Sequence, residues 1–252
     1  MPNPPDFALA PLRRYRRDLL APTPDDDQLT TLAKELTLVL GLCFNEIKDL
    51  HWALARVGAE VSETPEHVSA INGQLFGMRG TYVRLLSGMM FELAVAVKER
   101  SHIARWSPWQ QCLERMPRHA RDAWMEVTAL ANRKKGRRPV ADYLWKVRDR
   151  ISHHFDGKVL LSGYAHFFKG SQPGSDALYL STGNSMEETR FYFADAAAIN
   201  ADKALRESIA WDDVQDFMNQ VNLALRFIVE ELMAEFERAA EAPTEDGPDR
   251  TY

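Results

Sequence analysis

Three long stretches of this chain space their apolar side chains by alternating steps of three and four. That is the period of a helix with one buried face, and it restricts the fold to packed helices before any motif is read. Over 25–57 the series is Leu29, Leu32, Leu36, Val39, Cys43, Ile47, Leu50 and Leu54. Over 65–99 it is Val68, Ile71, Leu75, Met78, Tyr82, Leu85, Met89, Leu93 and Val97, and over 211–239 it is Val214, Phe217, Val221, Leu225, Ile228, Leu232 and Phe236. Thr23 and Pro24, followed by Asp25, Asp26 and Asp27, supply an N-cap candidate, a first-turn proline and negative charge for the positive helix end. The short link 58–64 makes the first two helices antiparallel neighbours.

Weaker periodicity predicts a third helix over 108–131, carrying Trp109, Cys112, Met116, Ala123, Trp124, Val127 and Leu130. A fourth helix, over 139–155, turns Val140, Tyr143, Leu144, Val147, Ile151 and Phe155 inward. After the Gly- and Pro-containing segment 170–174 the period changes to two, so that 177–181 and 189–193, joined across Gly183 and Asn184, read as a β-hairpin. The expected architecture is mainly α: an antiparallel helical bundle over 23–239 with a small β-hairpin insertion at about 177–193. A basic arm (1–22, with Arg13, Arg14, Arg16 and Arg17) precedes it, and a disordered acidic tail (240–252) follows.

At 252 residues and 45% hydrophobic side chains, the chain is long enough for one large core. Its two cysteines, Cys43 and Cys112, fall on apolar helix faces and read as buried free thiols; with no apolar signal core at the N-terminus, the expected location is the cytoplasm. The apolar runs 36–44 and 89–97 are too short to span a bilayer, so no membrane partner is expected. A net charge of −5 argues against a protein that coats nucleic acid in general. Locally the balance reverses, because nine Lys and Arg residues lie between 132 and 158 (Arg133, Lys134, Lys135, Arg137, Arg138, Lys146, Arg148, Arg150 and Lys158) against Asp142, Asp149 and Asp156.

Within that basic region the segment 147–156 sets a permanent cation beside imidazoles on an otherwise apolar helix: Arg148, Asp149, then three residues to His153, followed by His154 and Phe155. Arg148 can grip a phosphate oxygen through its planar fork, and His153 titrates near neutrality and can move a proton. Asp149, four residues before His153, can orient the imidazole. Ser152, four after Arg148, can bond the backbone, the commoner case, or the substrate. Residues five apart on a regular helix are separated by about 140°, so Arg148 and His153 share a site only if the helix distorts or two copies of it meet about a twofold axis.

The pattern Arg148-Asp149-x-x-x-His153, continuing as His-x-aromatic, resembles the signature of the HEPN (higher eukaryotes and prokaryotes nucleotide-binding) family. The resemblance covers the motif helix and, more loosely, the two long helices before it. It implies a cofactor-free, metal-independent endoribonuclease of toxin–antitoxin or phage-defence type, a homodimer with a composite site, RNA as substrate, and an antitoxin or nucleotidyltransferase as partner. It further implies that Arg148, His153, Asp149 and the competing His154 carry catalysis. Arg133, Lys134, Lys135, Arg137, Arg138 and Arg150 would contact RNA phosphates. Phe155 stands where such proteins commonly carry a tyrosine, which puts regulation by modification of that hydroxyl in doubt.

Two other classes remain open. One is a non-catalytic helical protein of the same type, used for dimerisation or partner binding. The other is a metal-binding helical bundle, suggested by the Glu99-x-x-His102 spacing and by His153, His154 and Asp156, but lacking a second motif copy or a third placed ligand.

Overall fold

A computed structural model describes residues 13–61, 69–132, 139–152, 155–169, 176–186, 188–206 and 209–241. Eight α-helices account for most of them: α1 (Gln28–Glu60), α2 (Ala70–Glu99), α3 (Ser107–Arg115), α4 (Arg118–Ala131), α5 (Pro139–Val147), α6 (Gly157–Lys169), α7 (Tyr192–Arg206) and α8 (Trp211–Glu241). A 3-10 helix, Ser101–Arg105, links α2 to α3, and a π-helical turn, Arg148–Ser152, continues α5. The protein is mainly α.

The start of α1 shows how the local sequence sets an element. Asp27 caps it, its carboxylate accepting from the Thr30 N–H at 2.6 Å. Asp26 turns the other way, pairs with Lys34 at 2.7 Å and accepts from the Thr23 N–H and hydroxyl; both partners of the ion pair are nearly buried. Lys34 also donates to the Ala21 carbonyl, so the chain before α1 is clasped onto the helix, and Leu19 joins the core.

The core gathers α1, α2, α4 and α8. Leu36, Leu40 and Ile47 of α1, Met90 and Leu93 of α2, Val127 of α4, and Val221, Leu225 and Ile228 of α8 share one buried cluster, all essentially inaccessible. Helices α1 and α2 run antiparallel. Glu35 near the start of α1 meets Arg100 at the end of α2, while His51 and Leu54 near the end of α1 face Val83 and Leu86 across a narrow crevice. Taken alone, α2 is long and apolar enough to cross a membrane, and in this fold 44% of its most apolar window is buried.

The expected third helix is two helices. Pro117 cannot continue the ladder of α3, Met116 before it is extended, and Arg121 of α4 bonds back to the Glu114 and Met116 carbonyls at the break.

The β-hairpin is corrected: among the described residues its strands reduce to one antiparallel bridge, Ser181 with Arg190, closed by two 2.8 Å hydrogen bonds. Arg190 is then held by Asp195 at 2.8 Å and by Gln74 of α2 at 2.9 Å. The chain enters α7 at Tyr192 because the alternating aromatics run directly into Ala194, Ala196, Ala197 and Ala198, strong helix formers.

Helix α7 lies between α2 and α6, and on both sides glycine permits the approach. A Cβ on Gly73 of α2 would stand 2.5 Å from Tyr192 Cδ1. One on Gly80 would stand 3.3 Å from Ile199 Cγ1, and one on Gly77 would overlap the Arg190–Asp195 ion pair. From the other side Gly163 of α6 presses against the Ala197 carbonyl and lies where a Cβ would be 2.6 Å from the Ala201 N.

Candidate functional site

The motif segment is fixed from beneath. Val140, Tyr143, Leu144, Val147 and Ile151 are buried as the apolar period predicts. Phe155 is not: it is 63% exposed and stands at φ 40°, in the left-handed region that a bulky side chain rarely adopts. The inward placement expected of Phe155 fails because the helix ends before it. The Asp156 N–H reaches back to the Arg150 carbonyl at 2.8 Å, and the Asp156 carboxylate caps α6 by accepting from the Lys158 and Val159 N–H groups. Asp156 is thereby engaged in starting the next helix.

The α-helical ladder gives way at Arg148 to a π turn through Ser152. Such turns occur mostly as single insertions into α-helices, frequently at functional sites. The Ser152 hydroxyl donates to the Arg84 carbonyl of α2 at 3.1 Å; it bonds backbone, as expected, but that of a neighbouring helix, and so pins the turn to α2.

Arg148 opens the π turn. Its guanidinium lies over Phe91 of α2, Cζ 3.7 Å from the ring centroid, and Phe91 packs on Trp145 with centroids 5.0 Å apart. The side chain is 18% exposed. Its Nε is shielded from solvent and has no hydrogen-bond partner, and its nearest carboxylate, Asp149, is half-exposed at 3.8 Å, too long for a hydrogen bond. A cation placed this way is compensated by the aromatic face and by a loose ion pair, which leaves the fork of donors free to take an oxyanion.

Arg150 is exposed beside it. His153 and His154 lie outside the described residues, as do Arg133, Lys134, Lys135, Arg137 and Arg138 of the expected RNA-binding segment. The structure therefore brings Arg148, Asp149 and Arg150 together on one turn and carries the site no further.

Phe91 and Trp145 were missed by sequence reasoning. Phe91 falls off the apolar stripe assigned to its helix, and an aromatic off the stripe was the available signal.

His51 lines the crevice with Leu54, Leu144, Trp211 and Met218, and burial pushes its pKa below the ordinary histidine value. Cys43 and Cys112 are buried free thiols; burial raises both, Cys112 to about 12. Among the described residues no three His, Cys, Asp or Glu side chains gather as a metal-binding group, and His102 is exposed in the 3-10 helix after α2. Compared with known proteins, the chain matches no family model, no curated protein and no solved structure.

Proposed function

We propose that this chain is a metal-independent endoribonuclease of HEPN type, built as an antiparallel helical bundle and acting as a homodimer. In this reading an imidazole, His153 or its neighbour His154, takes the proton of an RNA 2′-hydroxyl. The resulting alkoxide attacks the adjacent phosphorus and the bond to the 5′-oxygen breaks as that oxygen takes a proton from water, leaving a 2′,3′-cyclic phosphate and a 5′-hydroxyl. Arg148 from one or both copies meets the negative charge that develops on the phosphoryl oxygens. Asp149 orients the histidine, and Arg150 with the basic segment 133–138 attracts the RNA backbone. A toxin–antitoxin or phage-defence setting, with an antitoxin or nucleotidyltransferase partner, is the biological context this reading carries.

The observation that supports it is Arg148: a guanidinium held over Phe91 at the opening of a π turn, short of hydrogen-bond partners, five residues before His153. An arginine serving only the fold would be expected to close its donors on carboxylates or carbonyls. The experiment is RNA degradation by the purified protein in EDTA, with Arg148→Ala and His153→Ala beside it. Cleavage by the wild type that falls about a hundred-fold or more in both variants is expected. Full activity in both would sink the assignment, and loss only in His154→Ala would move the base by one residue.

A non-catalytic, partner-binding protein is the second reading, favoured by the apolar side chains left exposed after the motif, Phe155 and Leu161. It expects no cleavage under any metal condition.

A further inference from the structure

Where α2 packs against α7, positive charge is gathered in excess of what the fold needs. Arg79 and Arg84 come from α2 and Arg206 from the end of α7. Arg79 lies 5.7 Å and Arg206 5.9 Å from the centre of the same ring, Trp211 at the start of α8. All three arginines act electrostatically on one carboxylate, Asp202, one helical turn before Arg206. Asp202 Oδ1 is already engaged, accepting from the Tyr143 hydroxyl of α5 at 2.7 Å.

Among the described residues none of the three arginines closes an ion pair. Arg84 spends one donor on the Thr81 hydroxyl at 3.0 Å, and Arg79 and Arg206 rest on the indole. The neighbouring Arg190–Asp195 pair, closed at 2.8 Å, compensates Arg84 only in part, Asp195 favouring its charge and Arg190 opposing it. The arginines, Asp202 and Trp211 are half-buried, so the cluster is reachable from solvent yet not diluted by it. Like charges brought together at reduced dielectric repel, and a fold that keeps them there gains when an anion arrives. Burial, which disfavours the charged form of Arg84, acts in the same sense.

We propose that this junction, with Arg79, Arg84 and Arg206 around Asp202 and beside Trp211, is a binding site for an anion of the phosphate class. Guanidinium forks match phosphate oxygens geometrically. The site is separate from the ribonuclease reading and stands or falls without it. It is nonetheless linked to the motif, since the Arg84 carbonyl receives the Ser152 hydroxyl of the π turn.

The test is titration of the full chain with inorganic pyrophosphate at constant ionic strength, followed by thermal melting and calorimetry, with sodium chloride as control. Saturable stabilisation beyond the chloride effect is expected in the wild type. Arg79→Gln and Arg206→Gln are each expected to weaken pyrophosphate binding about ten-fold or more. Without phosphate they should melt at or above the wild-type temperature, because one like charge is gone. Should a glutamine variant fold poorly, Arg79→Lys keeps the charge and removes the fork, and a smaller loss of affinity is expected.

Competition by a short single-stranded RNA lacking terminal phosphates would assign the site to the RNA backbone. Pyrophosphate binding without such competition would assign it to a small phosphate ligand. No saturable pyrophosphate effect, or unchanged affinity in all three variants, overturns the proposal.

Discussion

At Arg148 two demands meet on one side chain. Its backbone must begin a π turn while its guanidinium lies over Phe91, and the ring is what makes a poorly paired, largely shielded cation tolerable. Phe91→Leu keeps an apolar side chain but removes the quadrupole. We expect it to cost about 1 kcal/mol in urea unfolding and, if Arg148 acts on phosphate, to lower cleavage without abolishing it. Loss of stability with unchanged cleavage would show that the ring supports the fold and not the arginine's chemistry. The thiols give a cleaner check: with Cys112 pushed up to about 12 and Cys43 raised by the same burial, neither should react with a disulfide reagent at pH 8 until the protein is unfolded. Fast native reaction would contradict their packing.

Between elements, the distinctive contact is α7 seated between glycine faces of α2 and α6. Gly163→Ala adds helix propensity but drives a methyl into the backbone of α7, and overpacking of this kind typically costs about 1–3 kcal/mol. A urea midpoint equal to or above the wild type's would show that α6 shifts freely. The same contacts explain what was legible in the sequence. Helices α1 and α8 each bury one strongly apolar face, and their stripes were read nearly to their ends. In α2 the stripe was misphased: Ile71 and Leu85, expected inside, are 74% and 49% exposed, while Val83, Leu86 and Met90 face the core. That helix is covered on two sides, one of them by glycine, which leaves no hydrophobic signal. Helices α6 and α7 pack through Gly163, Ala197 and Ala201 and were not anticipated for the same reason. Arg148 was legible from its neighbours in sequence, whereas Phe91 reaches it from another helix and was not.

For the whole molecule, the ribonuclease reading expects a second copy, which would complete a composite site. Light scattering at micromolar concentration should report a dimer, and a strictly monomeric protein would remove the composite site. Stability of the whole chain should also depend on its N-terminal clasp. The Lys34 ammonium and the Thr23 donors hold the Asp26 carboxyl below the ordinary carboxylate range. Its contribution is therefore complete above that range and fades as pH falls through and below it. Urea midpoints for wild type and Asp26→Asn should differ at pH 7 and converge toward pH 3; a constant gap would assign the effect to something other than the charge.

Helix α6 commits only Gly163 to the interior and rests chiefly on α7. Its apolar side chains Val159, Leu160, Tyr164, Phe167 and Phe168 are only half-buried, so we expect α6 to open at a lower free energy than global unfolding. Its amide protons should exchange with deuterium well ahead of those in α1 and α8, while the Asp156 cap joins it directly to the motif segment. A ligand gripping that segment would slow exchange in α6 without touching it, and isotope labelling would register occupancy there before any product was known.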